Sequence, residues 1–65
     1  MTKLLLSIPG AAERLSIGRS KLYELLTNGE IAPIRIGRAV RIPADELHAF
    51  VAREREAQRQ AAEVA

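Results

Sequence analysis

The sequence predicts a small α+β fold: two short helices, a β-hairpin and a C-terminal helix in one domain. Three observations carry that expectation. Apolar residues recur at helical spacing on both sides of a three-residue break at Ser16-Ile17-Gly18. The run from Ile34 to Ile42 then switches to strand period. Ile34, Ile36, Val40 and Ile42 alternate there with polar or small residues, and Gly37 interrupts the run. Helical spacing returns beyond Pro43, on Leu47, Phe50 and Val51.

Taken in order, Leu4-Leu5-Leu6 is short and apolar and reads as a third small strand beside the hairpin. Ser7 suits an N-cap, because its hydroxyl can accept from a free helix N–H. Pro9 is tolerated in a first turn, where its missing N–H would have had no partner. Ile8, Ala11, Ala12 and Leu15 follow on one face, and Gly10 holds this helix to about two turns. The break Ser16-Ile17-Gly18 has the length of a helix-turn-helix turn, with Gly18 free to adopt unusual dihedrals or to cap.

The second helix is expected from about Arg19 to Thr27, with Leu22, Leu25 and Leu26 as its buried stripe. Asn28-Gly29 stops it, since both residues tolerate the left-handed conformation that ends helices. At 100° per residue, the face opposite the stripe holds Ser20, Tyr23, Glu24 and Thr27, with Arg19 and Lys21 on the flanks. Tyr23, the chain's one tyrosine, has two readings that can hold together: a ring packed at the edge of the core, and a phenol touching a phosphate.

For the hairpin, a three-residue loop from Gly37 to Ala39 would set Ile36 opposite Val40 and Ile34 opposite Ile42, giving one clean apolar face. A two-residue turn at Gly37-Arg38 would set Ile34 opposite Arg41 and mix core with solvent residues. The three-residue loop is therefore the expected register. It places Arg35 opposite Arg41 on the outer face and Arg38 at the tip. Like charges facing each other are destabilising, so three arginines on one ribbon make sense where an anion sits against them. A nucleic-acid backbone is such an anion.

Asp45-Glu46 puts two carboxylates where a helix N-terminus favours negative charge. The third helix then buries Leu47, Phe50 and Val51, and its next stripe positions are Glu54 and Gln58, so apolar burial should end near Val51. Residues 1–55 are accordingly read as the folded domain. Residues 56–65 are read as a solvated or frayed helical tail, with a segment awaiting a partner as the other reading. Ala57, Ala61 and Val64 are too small and sparse to argue for a coiled coil.

Sixty-five residues allow one domain with a small core. Without cysteine there is neither a disulfide framework nor a cysteine zinc site. Lys3 and the stretch Leu4 to Ile8 look superficially like a signal peptide, but Pro9 and Gly10 interrupt it and Glu13 and Arg14 end it. Removing it would leave too little chain to fold. No segment approaches transmembrane length. The net charge of +2 hides an asymmetry: residues 1–42 carry seven basic and three acidic residues, and residues 43–65 carry three basic and five acidic ones. Basic charge gathered in the body favours a polyanionic partner.

Enzyme chemistry finds little support, and no catalytic residue, metal site or cofactor is expected. His48, the one histidine, falls off the Leu47/Phe50/Val51 stripe and reads as a surface residue. Ser7, Ser16 and Ser20 have capping, turn or surface explanations and no base nearby in sequence. Gly37 stands alone and makes no phosphate-cradling glycine pattern.

Each remaining element is weak alone, but their order and spacing together define a winged helix-turn-helix. The second helix would present Ser20, Glu24 and Thr27 to base edges in a major groove, with Arg19, Lys21 and Tyr23 beside them. The hairpin would act as the wing, laying Arg35, Arg38 and Arg41 along phosphates or into a minor groove.

The stretch from Leu15 to Val51 carries a resemblance. It is similar to the small excisionase-type helix-turn-helix proteins, relatives of the MerR-type winged-helix domain. Members read leucine-glycine-valine-serine-arginine-serine before the second helix, then leucine-tyrosine and a serine-glycine-glutamate stop. An isoleucine-glycine-arginine-arginine-valine-arginine-isoleucine wing follows. Arg19-Ser20, Leu22-Tyr23, Asn28-Gly29-Glu30, Ile36-Gly37-Arg38 and Val40-Arg41-Ile42 match, and the likeness spans about residues 4–52. Gly18 stands where the family has a capping serine, and Ala39 where the wing often has a second arginine. The resemblance implies binding to double-stranded DNA in a prokaryote, phage or mobile element. Some members are recombination directionality factors that bend attachment-site DNA and favour excision by an integrase, and others regulate transcription.

Two function classes stand: a sequence-specific DNA-binding protein, and an interaction module whose basic face docks an acidic partner. The first is favoured, and the salt dependence of binding to a random duplex separates them. The expected partners are double-stranded DNA, an integrase, and further copies bound cooperatively on repeated sites, since a domain this small has limited contact area. The expected location is the cytoplasm, on the nucleoid.

Overall fold

Ser7 opens the first helix as expected. In the computed structural model, which describes residues 4–64 apart from the side chains of residues 63 and 64, Ser7 Oγ accepts from the Gly10 N–H at 3.1 Å. A Cβ on Gly10 would lie 3.0 Å from that same oxygen, so the cap itself explains the glycine. Lys3 and the last residue of the tail lie outside the described residues. The elements in chain order are β1 (Leu5–Leu6), α1 (Ile8–Leu15), α2 (Arg19–Thr27), β2 (Ile34–Ile36), β3 (Ala39–Pro43) and α3 (Ala44–Val64).

Helix α1 packs on α2, β3 and α3, and α3 packs on α1 and β3. Leu6, Ala11, Ala12, Leu22, Leu25, Ile42 and Leu47 form the core together with Ile31, and Ile8, Leu15, Ile17, Leu26 and Phe50 pack around it. Ile31 is fully buried although it lies in the loop after α2. It stands alone between polar and turn residues, so no periodicity marks it. On α3 Leu47 is buried and Phe50 half-buried, but Val51, expected to be buried with them, is 41% exposed, so burial ends a position earlier. Glu54 is half-buried, and residues 55–62 are all exposed on a helix that continues to Val64. Among the described residues the tail's side-chain bonds are local: Arg59 pairs with Glu56 at 3.1 Å, and Gln60 donates to Glu56.

In the turn between the first two helices Gly18 takes the capping position, one of its two expected roles, and not the unusual dihedrals. The left-handed residue is Ser16 (φ 56°, ψ 41°), while Gly18 is extended (φ −73°, ψ 158°). Ser16 N–H donates to Glu13 O and Ile17 N–H to Ala12 O, each at 3.0 Å. That pair of bonds is a Schellman end, which requires the left-handed conformation at the residue after the helix. Gly18 occupies the N-cap position of α2 and supplies no side-chain bond. In the family pattern glycine and serine stand the other way round. The stop after α2 likewise uses one left-handed residue, Gly29 (φ 77°), because Asn28 remains right-handed (φ −79°).

The sheet is antiparallel in the order β1-β3-β2. Leu6 pairs with Ile42 and Leu5 with Pro43, and Ala44 N–H donates to Leu4 O at 2.9 Å, which ties the start of α3 to β1. The hairpin register corrects the expected one. Ile34 pairs with Arg41, Arg35 with Val40 and Ile36 with Ala39 around a two-residue turn, Gly37-Arg38. Gly37 has φ 60°, and Arg38 is not among the positive-φ residues. A positive first and negative second central residue is the arrangement of a type II′ turn, whose twist matches that of the strands. The three-residue register wins only where a packed layer covers the shared apolar face. β2 has no such layer, since all three of its residues are exposed, so turn geometry decides.

Two corrections follow from that register. Ile34 and Ile36 face solvent at 42% and 54% exposure, on the outer face with Ala39 and Arg41. Arg35 no longer faces Arg41 but lies on the other face of the hairpin, across from Val40, so the expected like-charge pair does not form.

Candidate nucleic-acid interface

The exposed side of α2 is built by the burial of its other side. Leu22 and Leu25 are buried and Leu26 half-buried, which turns Ser20, Tyr23, Glu24 and Thr27 outward between Arg19 and Lys21. All six are exposed, Tyr23 at 53%, and among the described residues none has a side-chain hydrogen bond or ion pair. Tyr23 lies outside the core cluster and the apolar residues packed around it. Unspent donors and acceptors on one exposed helix face can read base edges and phosphates.

The wing carries its three arginines at three different places. Arg38 occupies the turn, and Arg35 and Arg41 lie on opposite faces of the ribbon. Arg35 and Arg38 are exposed and without side-chain partners among the described residues. Arg41 is half-buried and folds back, its Nη1 donating to Val40 O at 2.9 Å. The ribbon therefore offers positive charge at its tip and on both faces.

Sequence reasoning did not assign one contact beside these elements. Arg53 on α3 donates from Nη2 to Glu30 O, in the loop between α2 and β2. The two residues are 23 apart in the chain, and no spacing rule links them. His48 is exposed on α3, and among the described residues no group of three or more His, Cys, Asp or Glu comes together. No helix of the described residues is long and apolar enough to cross a membrane.

A helix-turn-helix followed by an arginine-bearing hairpin is the architecture of a winged-helix DNA-binding domain. The family described as "Helix-turn-helix domain" matches residues 5–55 of this chain. A "Probable excisionase" of Saccharopolyspora erythraea is 43% identical over 51 residues, 78% of this chain and 52% of that protein. An "Excisionase" of Streptomyces ambofaciens is 39% identical over 51 residues, 78% of this chain and 82% of that protein. The chain thus spans about half the length of the first relative and most of the second. No solved structure matches it with significance. The chain belongs to the excisionase-type helix-turn-helix family of DNA-binding proteins.

Proposed function

We propose that this protein is a recombination directionality factor that binds attachment-site DNA in a sequence-specific way, bends it, and promotes excision by an integrase. The observation that carries the DNA-binding part is the exposed polar face of α2, whose side chains have no hydrogen-bond or ion-pair partner among the described residues, in a chain that also carries a three-arginine hairpin. The excision part rests on the names of the two relatives.

In this reading α2 lies in the major groove. Ser20, Glu24 and Thr27 meet base edges there, and Arg19, Lys21 and Tyr23 meet the flanking phosphates. The wing enters the neighbouring minor groove, about 6 Å wide in B-form DNA. Arginines on both faces suit a ribbon between two phosphate walls, and Arg38 at the tip suits the negative potential of a narrow groove. Bending brings both contacts onto one duplex. The proposed domain comprises residues 1–55, and the tail of residues 56–65 is solvated unless it meets an integrase or a neighbouring copy.

Selection from a random duplex library, followed by gel shifts over a salt series, tests binding. A reporter flanked by attachment sites, with the integrase of the same element, tests excision. Recovery of a preferred site with stimulated excision is the expected result. A preferred site with no effect on excision would instead mark a transcription regulator. Salt-insensitive binding, or no duplex bound at all, would overturn the DNA reading.

A further inference from the structure

The segment joining α2 to the wing is held at three points. Ile31 is fully buried. The N–H groups of Glu30 and Ile31 both donate to Leu25 O, at 2.9 and 3.3 Å. The third hold is the bond from Arg53 Nη2 to Glu30 O at 2.5 Å. Every other side-chain hydrogen bond among the described residues joins partners at most four apart. Among the described residues, Arg53 is thus the one side chain that uses a hydrogen bond to tie α3 to the loop. It grips the Glu30 peptide from the side opposite the last turn of α2.

The place matters because of what flanks it. On one side Gly29 sits at φ 77°, a glycine-permissive conformation. On the other, Ala32 and Pro33 are exposed, and among the described residues no turn or loop hydrogen bond holds them before β2 begins at Ile34. Among the described residues, the peptide between Glu30 and Ile31 is therefore the last point held by a turn or loop hydrogen bond on the path from α2 to the wing. Arginine suits the task, since its planar fork loses less freedom per hydrogen bond than a lysine stem does.

We propose that Arg53 is a positioning residue for DNA recognition: by strapping α3 to the Glu30 carbonyl, it sets the angle between α2 and the wing so that both engage one duplex together. The inference rests on the DNA interface proposed above. A binder with two contact elements depends on the stiffness of the link between them, because a loose link lowers the effective concentration of the second contact once the first has formed. Random DNA is less demanding, since either element can settle on phosphates without a shared register. Arg53 is exposed, and its role is one of geometry rather than of core stability.

The test compares Arg53→Ala and Arg53→Lys with the parent protein on the selected site and on a random duplex, over a salt series. Amide hydrogen exchange at Glu30 and Ile31 is followed in parallel. For Arg53→Ala we expect affinity for the selected site to fall about three- to tenfold, the scale of one hydrogen bond. Affinity for the random duplex should stay within about twofold, the salt slope should not change, and exchange at Glu30 and Ile31 should speed up. Arg53→Lys should recover part of the loss. A salt slope lower by about one, with both duplexes weakened alike and full rescue by lysine, would show a phosphate contact and overturn the proposal. Faster exchange with unchanged affinity for the selected site would also overturn it. Failure of the parent protein to prefer any duplex is seen before any substitution and would count against the DNA reading itself.

Discussion

Ile34 stands directly across the hairpin from Arg41, and that pairing puts a cation into an otherwise apolar outer face formed with Ile36, Ala39, Leu5 and Pro43. The inner face holds Val40 and the fully buried Ile42. Isoleucines on the two sides of one short ribbon therefore have opposite standing. Ile36→Thr should change stability by less than about 0.5 kcal/mol, as is usual for exposed positions. Ile42→Ala should cost about 2–5 kcal/mol through lost burial and the cavity left behind. Chemical denaturation of the two variants checks the register. Equal losses would mean that Ile36 is packed after all.

The turn between α1 and α2 holds a serine where the backbone is left-handed and a glycine where it is not. A left-handed conformation costs a non-glycine residue about 1–2 kcal/mol, so Ser16→Gly should stabilise the domain by up to about 1 kcal/mol once the added freedom of the unfolded chain is subtracted. At Gly18 a Cβ would meet nothing within 4 Å and φ suits any residue. Gly18→Ser should add the missing N-cap bond and restrict the unfolded chain, together about 0.5–1 kcal/mol. Each change should raise Tm by several degrees in a domain of this size. Melts of both single variants and the double variant measure it, and a fall in Tm for either would contradict the dihedral argument.

On the proposed function, Arg38 at the wing tip contributes charge more than sequence reading. Arg38→Ala should weaken selected and random duplexes by similar factors and lower the salt slope by about one. Gel shifts over a salt series provide the readout. An effect confined to one base pair would show that Arg38 reads sequence.

The outward face of α2 should behave in the opposite way. Alanine at Ser20, Glu24 or Thr27, where the side chain reads a base edge, should cost about 1–3 kcal/mol at one base pair and little elsewhere. Binding measured against a panel of single-base variants of the selected site resolves this. A triple alanine variant with unchanged preference would overturn the docking of α2.

Residues 55–62 are exposed, and their ion pair is a surface one between Glu56 and Arg59. Surface pairs of this kind contribute little, and an isolated helical end is marginal by itself. Truncation after Arg55, which keeps Arg53, should leave the thermal melt almost unchanged. Gel shifts on single and repeated sites then ask whether the tail links copies: an unchanged melt with lost cooperativity would support that role.

Local rules carried most of the helical part of the chain. Ser7, Gly29 and the stripe of Leu22, Leu25 and Leu26 act through neighbours within a turn or two, so residue types and spacing were enough to bound α1 and α2 and to name the outward face. That the hairpin carries three arginines was legible too, but their faces were not, since Arg35 lies across from Val40 and not from Arg41. Three features were decided only when the elements came together. Ile31 is core because the chain folds back after α2, not because of any period. Ile34 and Ile36 are exposed because β2 is an edge strand with no layer beside it, which left the Gly37-Arg38 turn to choose the register. Arg53 meets Glu30 because α3 returns past the end of α2. Each depends on which surfaces lie against one another, and a pattern in the sequence records a periodicity without recording what covers it.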